Sequence, residues 1–371
     1  RRNEALFCAG SAQEILGDLL PAWQNADFRL VNLECPLIAS PAPIKKTGPH
    51  LSAQERTING LKALGIDVVG IANNHIRDHG ADGVLNTIRL CRENGIAVVG
   101  GGANLAEARE PLICEIKGLR LGIIAMADLE WSTAGLDSAG ANPFLMSGFL
   151  KTMRYLRGKC DHILALLHLG KEHYPYPSPE LQDTCRCLAD EGVSVVICQH
   201  SHCAGACEHY NGRFVCYGQG NLIFDSPKSK MESWRSGYLL EIVLTPGSPP
   251  AIKARPYDQR QDGRGVEPMG SCEAEEFHDR MKIMEIEIQD MNFVGRKWVE
   301  FCREKRDLYF SILAGHGRCH RKFNQLTGLT RYMYSSDAVA ILENVVRCKA
   351  HLEVLQSILC DFRTERWNRM K

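Results

Sequence analysis

From residue 28 to about residue 245, short apolar runs alternate with stretches of helical period. The runs "FRLVNLE", "DVVGIANN", "LRLGIIAMA", "HILALLHLG", "VSVVICQH", "FVCYGQGN" and "YLLEIVLT" are apolar and rich in β-branched residues, as buried strands are. Between them, "SAQERTINGLKALG", "GADGVLNTIRLCRENG" and "PSPELQDTCRCLADEG" read as helices that each close on a glycine. Strand alternating with helix predicts an α/β domain with much parallel sheet. In such sheets ligands gather outside the carboxyl ends of the strands.

The pattern changes after "TPGSPPAIKARPYDQRQDGRG", which is rich in Pro, Gly and charge and reads as a return strand followed by a boundary. The expected division is an α/β domain over 1–255, a linker over 256–270 and an α-helical C-terminal region over 271–371. There, Phe277, Met281, Met284, Ile288, Met291 and Trp298 fall on one stripe of a long helix, a packing surface rather than a cofactor box. A second helix is expected in "SSDAVAILENVVRCKAHLEVLQSILCDF", with Asp337 as its N-cap. "GHGRCHRK" holds His316, Cys319 and His320 in a loop, without the second ligand pair that a structural zinc needs.

Composition narrows the function. The 371 residues are 44% hydrophobic, enough for a large core. Lys+Arg and Asp+Glu both number 44, so there is no basic field and nucleic acid is not expected as a partner. No apolar run reaches the roughly 18–20 residues of a membrane span. The 16 cysteines are scattered and several, such as Cys114, Cys160 and Cys198, sit inside apolar stretches. That pattern fits free thiols in a reducing compartment, so a cytoplasmic location is expected. The first residue is Arg1 rather than Met, which leaves an upstream signal or anchor open.

The strand ends carry chemistry that plain structure does not need. "FRLVNLECPL" ends in Asn32 and Glu34, and "DVVGIANNHIRDHG" in Asn73, Asn74 and His75, with Asp78 a turn later. "HILALLHLGKEHY" ends in His168, followed by Glu172; "VVICQHSH" ends in His200 and His202; "FVCYGQGN" ends in Gln219 and Asn221. Any one of them has a bland reading: a lone His is often a hydrogen-bonded core residue, and Asn tolerates turns. Parallel neighbours would bring all of them to one rim. Oxygen and imidazole donors suit a hydrolytic two-metal site in which a carboxylate bridges and a shared water is the nucleophile. A further unligated histidine beside the site could protonate a leaving group. The competing reading is a zinc knot of Cys198, His200, His202, Cys203 and Cys207. Its geometry is weak, because alternation along one strand would present His200 and His202 together with Cys198 deeper on the same face.

In order along the chain, "NLECPL", "GIDVVGIANNHIRDHGADGVLNTI", "VVGGGANLAEAREP", "LLHLGKEHYPYPSPELQ" and "CQHSHCAGACEHYNGRFVCYGQGNLIFD" resemble the CapA family of capsule and poly-γ-glutamate biosynthesis proteins. The family belongs to the calcineurin-like metallophosphoesterase superfamily, and the resemblance covers residues 1 to about 255. It implies a layered α/β sandwich holding two divalent metal ions, with Mn, Fe or Zn as candidates. By motif, Glu34 is implied as the bridging carboxylate, Asn74, His168, His200 and His202 as further ligands, His75 as the acid and Asp78 as its orienting partner. Lys46, Gly48, Glu130 and Glu172 match positions implied to line the substrate pocket. One departure stands out. The family's first strand ends in Gly-Asp, whose aspartate is a metal ligand. Here "ALFCAGS" would put Ser11 there, and Gly17-Asp18 follows no apolar strand. The preferred reading makes residues 1–21 the helical segment after a first strand that is missing upstream.

The expected function is a dinuclear metal-dependent hydrolase of the phosphoesterase type, serving synthesis of a capsule or other surface polymer. One alternative uses the same centre as a peptide or amino-acid epimerase. The other is a non-catalytic scaffold of a polymer-synthesis complex. The expected partners are a small-molecule, peptide or polymer substrate, and a protein partner or second copy docked on the helical tail.

Overall fold

The computed structural model describes residues 2–225, 232–260 and 262–329, and beyond them 332, 334–348, 351–352, 354–356 and 358–359. The chain divides into two units, residues 1–298 and 299–371.

In the first unit "YLLEIVLT" pairs in a separate sheet, and the other six of the seven apolar runs form two that face each other. One is parallel, in the order Leu30–Asn32, Val68–Gly70, Ala97–Val99. The other has six strands in the order Cys207–Tyr210, Arg213–Cys216, Val195–Cys198, His162–His168, Leu119–Ala127, Leu112–Ile116. Its four inner strands are parallel and its two edges antiparallel. Both sheets contribute to one core: Val68 and Val99 meet Ile123, Ala125, Leu164, Leu166, Val195 and Ile197. The sheets approach so closely at Gly70 that a Cβ there would lie 2.7 Å from Leu166 Cδ1, which explains the glycine in mid-strand.

Each sheet buries its second face under helices. Leu6, Leu61, Val84 and Ile88, on helices Arg2–Ala9, Ile58–Ala63 and Gly80–Glu93, cover Val69 and Ile71. Phe149, Met153, Cys185, Leu188 and Met284, on helices Met146–Leu156, Pro179–Asp190 and Ser271–Glu287, cover Ile124, Ala165, Leu167 and Val196. Alternate residues of "ILALL" within "HILALLH" thus pack on a sheet and on helices, so that run is apolar. The helix–sheet–sheet–helix order is the layered α/β sandwich that the resemblance implied.

The expected strands and helices of residues 28–245 are present, and the residues before them are helical: Arg2–Ala9, Ala12–Leu16 and Leu20–Gln24. Ser11 donates to Glu14 at 3.0 Å, and Asp18 lies exposed in a 3-10 turn.

The expected linker at 256–270 is a correction. Ala251–Gln259 pairs antiparallel with Ser236–Val243 along its full length, and Val266–Pro268 pairs with it in turn. Its polar texture comes from facing solvent on one side, while Tyr257 on the other is 1% exposed. The expected long helix is two, Ser271–Glu287 and Met291–Leu313, because Asp290 Oδ1 accepts from Asn292 N at 2.9 Å and starts the second. Phe277, Met284 and Ile288 of its stripe are buried, whereas Met291 is exposed.

In the second unit, Arg318–Thr327 and Ser336–Arg347 are helical, and Asn324 donates to Asp307 O at 2.7 Å. The last helix is capped by Ser335, which accepts from Ala338 N at 3.2 Å, and not by Asp337. Residues 349–350, 353, 357 and 360–362 of that expected helix lie outside the described residues. Among the described residues no helix is long and apolar enough to cross a membrane.

The helix Pro179–Asp190 braces the strand that ends in Cys198. Ser178 Oγ caps it by accepting from Leu181 N at 3.1 Å, with Pro179 in the first turn. Ser178→Ala is expected to lower stability by about 1 kcal/mol, read as a shifted urea midpoint at unchanged slope.

Candidate functional site

The parallel strands end on one rim, and the residues beyond them meet there. Asn73, fully buried, stitches two strands of the first sheet: its Nδ2 donates to Leu33 O at 2.9 Å, and its Oδ1 accepts from His75 N at 3.1 Å. That brace leaves Asn74 to face the second sheet, where its Oδ1 lies 3.1 Å from His168 Nε2. Burial raises the Glu130 carboxyl above its ordinary value, and the nearby Asn74 amide opposes this. His168 is the last residue of its strand, and its Nε2 is 3.2 Å from His200 Nδ1 and 3.7 Å from Glu34 Oε1. His202 Nε2 reaches the same Glu34 oxygen at 3.5 Å.

His200 and His202 arrive by a route that the sequence does not show. The strand stops at Cys198, and both histidines sit in the loop beyond it with φ of 79° and 54°. Alternation along a strand is therefore not what pairs them. A left-handed backbone at two non-glycine residues is strained, and such strain concentrates at functional sites. Asn221 fixes the second ring: its Oδ1 lies 2.9 Å from His202 Nδ1, while its Nδ2 donates to His202 O and Trp234 O. With Nδ1 carrying the proton to Asn221, the lone pair of Nε2 points towards Glu34. Phe224 and Trp234 wall the His202 ring at centroid distances of 5.2 and 4.8 Å.

Electrostatically the cluster is under tension. Burial pushes the Glu34 carboxyl up to about 8, the negative charge of Glu172 adds to that, and the Asn32 amide at 3.3 Å from Oε2 opposes it. Burial together with the neighbouring imidazoles holds His168 well below the usual range and brings His200 down to about 4. Glu34 Oε1 and His168 Nδ1 are buried without a hydrogen-bond partner among the described residues.

A second group adjoins the first. His75 Nδ1 bonds Asp78 Oδ2 at 2.7 Å, Leu51 N donates to the same oxygen at 2.7 Å, and Lys46 Nζ pairs with Asp78 Oδ1. Burial works to raise the Asp78 carboxyl, but the bonds from His75 and Lys46 hold it below its ordinary value. Lys46 is therefore buried against Asp78, Glu172 is exposed at the rim, and Gly48 takes φ of 85° in the loop between Lys46 and Leu51.

The cysteines of the same stretch turn inward. Cys198 Sγ lies 3.5 Å from Cys185 Sγ, Cys207 and Cys216 bond the Tyr238 hydroxyl at 3.1 and 3.0 Å, and Cys203 is buried. Among the described residues no three His, Cys, Asp or Glu side chains form a ready-made metal cage; Cys319 and His320, expected in a loop with His316, lie on the helix Arg318–Thr327. Around Glu34 the donors converge yet touch one another at 3.1–3.7 Å. Asn73, Asn221 and Trp234 are the contributors that sequence reasoning left without a role; only the position of the two asparagines at strand ends marked them.

Residues 3–226 match the model of the bacterial capsule synthesis protein family PGA_cap. The chain belongs to this family. It is 28% identical over 214 residues to the capsule biosynthesis protein CapA of Bacillus anthracis, covering 55% of this chain and 52% of that one. It is 24% identical over 179 residues to the PGA biosynthesis protein CapA of Bacillus subtilis (strain 168), covering 47% of each. The chain thus spans about half the length of the curated relatives it matches. Among solved structures it is similar to a putative 5'-nucleotidase from Staphylococcus aureus, with 11% identity and a TM-score of 0.39 over 61% of this chain and 44% of that one. The PGA_cap match ends close to Asp225, so it takes in every candidate ligand of the rim but not Trp234, and leaves out the helices from Ser271 onward.

Proposed function

We propose that this chain carries the metal-dependent hydrolase centre of a capsule-type polymer biosynthesis protein and acts on a phosphoester. The observation that carries the reading is Glu34 Oε1: a buried, unpartnered carboxylate oxygen facing two imidazole nitrogens at 3.5 and 3.7 Å. Burying such a group unpaired costs several kcal/mol, and a cation is its natural partner. The donor set fits a divalent ion of the Mn, Fe or Zn kind, held by Glu34, Asn74, His168, His200 and His202. Two such ions, when bound, would supply Lewis acidity and make water a better nucleophile near neutral pH.

The chain's own residues do the rest. The Asn221 bond fixes the tautomer of His202. His75 offers Nε2 to the leaving oxygen and delivers a proton there, while Asp78 holds Nδ1 and so orients the ring. Glu130 and Glu172 stand at the rim, where the substrate enters.

The test is metal content by elemental analysis on protein purified without chelator, with turnover of bis(4-nitrophenyl) phosphate. About two ions per chain are expected. His200→Ala and His202→Ala should each lower metal content, while Cys203→Ser and Cys207→Ser leave it unchanged. The reverse pattern would place the metal on the thiols and end this reading. A metal-loaded protein that exchanges a peptide α-proton for deuterium without cleaving phosphoesters is an epimerase. One that does neither, and co-purifies with synthase subunits, is a scaffold.

A further inference from the structure

We propose that Lys46 is a positioning residue for His75, acting through Asp78, and not a contact for the substrate. The inference rests on the hydrolase reading for its kinetic consequence, and on the geometry alone for its structural one.

The loop that carries Lys46 is fastened to Asp78 at three points. Ile44 N donates to Asp78 O at 2.9 Å, Leu51 N donates to Asp78 Oδ2 at 2.7 Å, and Lys46 Nζ pairs with Asp78 Oδ1. The side chains of Lys46 and Asp78 are 3% and 0% exposed, so the ammonium is not free to reach a ligand. Lys46 Nζ also lies 3.3 Å from His75 Nδ1. That nitrogen gives its one proton to Asp78 Oδ2 at 2.7 Å, so it has no lone pair for the ammonium to use. A cation is tolerated there only because the carboxylate touches both groups. Lys46 thus holds one Asp78 oxygen while His75 and Leu51 hold the other, and the carboxylate cannot turn. An immobile carboxylate fixes the ring plane of His75 and keeps Nδ1–H on Asp78, leaving Nε2 as the working edge. Without Lys46, Oδ1 would be a buried anionic oxygen with no cation beside it, and the carboxylate would be free to swing.

Lys46→Met and Lys46→Arg test this in the metal-loaded full chain. The imidazole nitrogen–proton correlation spectrum of His75 should show one sharp Nδ1–H signal, held on Asp78, in the native protein. Lys46→Met should replace it by an averaged signal, and Lys46→Arg should restore it. In turnover of bis(4-nitrophenyl) phosphate, Lys46→Met should lower kcat at least about tenfold with KM changed by less than about twofold. An unchanged His75 spectrum in Lys46→Met overturns the proposal, as does a raised KM at unchanged kcat, the mark of a direct substrate contact. If the native chain cleaves no phosphoester, the hydrolase reading fails while the spectrum still decides the role of Lys46. Should Lys46→Met not fold, Lys46→Gln takes its place in both measurements.

Discussion

Glu34→Gln is expected to stabilise the metal-free protein while stripping metal from the loaded one. The Glu34 side chain is 13% exposed, and its carboxyl is pushed up from 4.5 to about 8. Below pH 4.5 the group is protonated in the folded and unfolded chain alike and costs nothing. As pH rises towards 8 the unfolded chain ionises and the folded one does not, so stability present in acid is lost across that window. At about 1.4 kcal/mol per pH unit the loss reaches about 5 kcal/mol by pH 8. Glutamine cannot titrate. The stability of Glu34→Gln minus that of the native chain should therefore grow from near zero at pH 4.5 to several kcal/mol at pH 8. The histidines work in the opposite sense: with His200 brought down to about 4, its contribution is present above about pH 6.5 and lost as pH falls towards 4. Both proteins share that term, so it cancels in the difference. Urea melts of chelator-treated protein from pH 5 to 8 measure the slope, and a flat difference would show that Glu34 is not the strained group. In the loaded protein the sign reverses, because a carboxamide brings no charge to the cation and metal content falls. Only a ligand carboxylate combines those two outcomes.

The layered fold was legible because burial on both faces leaves a plain trace. "ILALL" and "VVIC" are apolar throughout since each lies between a sheet and a helix layer. Convergence of the site was legible for a related reason: parallel strands place their carboxyl ends together, and those ends held the unusual residues. What was not legible depended on tertiary partners. The stretch 256–270 looks like a linker because its exposed positions are polar, and its pairing with Ser236–Val243 is not local information. The positive φ of His200 and His202 arises beyond the strand, past the last ladder bond from Gln199 N to Leu167 O at 2.7 Å, where no local sequence pattern marks it. Lys46 shows the limit most plainly. A lysine in "KKTGPHL" reads as a solvated cation or a pocket residue, and its burial follows from Asp78, which comes 32 positions later in the chain.

His75→Ala is expected to lower turnover about a hundred- to ten-thousand-fold while leaving both metal content and fold in place. The reasons lie in which contacts the ring makes. Its Nδ1 is committed to Asp78 and borders Lys46, and none of its hydrogen bonds goes to Glu34, His168, His200 or His202. Removing it takes away a proton donor without taking away a metal donor. Asp78 is not left stranded either, because Lys46 and Leu51 N still bind its two oxygens. The usual penalty for unpairing a buried charge is thereby avoided, so lost activity cannot be put down to unfolding. Asp78→Asn separates the two roles. It keeps the imidazole but loosens its hold and leaves Lys46 as a buried cation without its anion, so stability should fall more than in His75→Ala. Kinetics on bis(4-nitrophenyl) phosphate, elemental analysis and a urea melt on each variant decide the matter. If His75→Ala loses metal, His75 belongs to the ligand set and the proton must come from elsewhere. If it keeps both metal and activity, the proton reaches the leaving group without His75, and the His75–Asp78–Lys46 array is a structural brace.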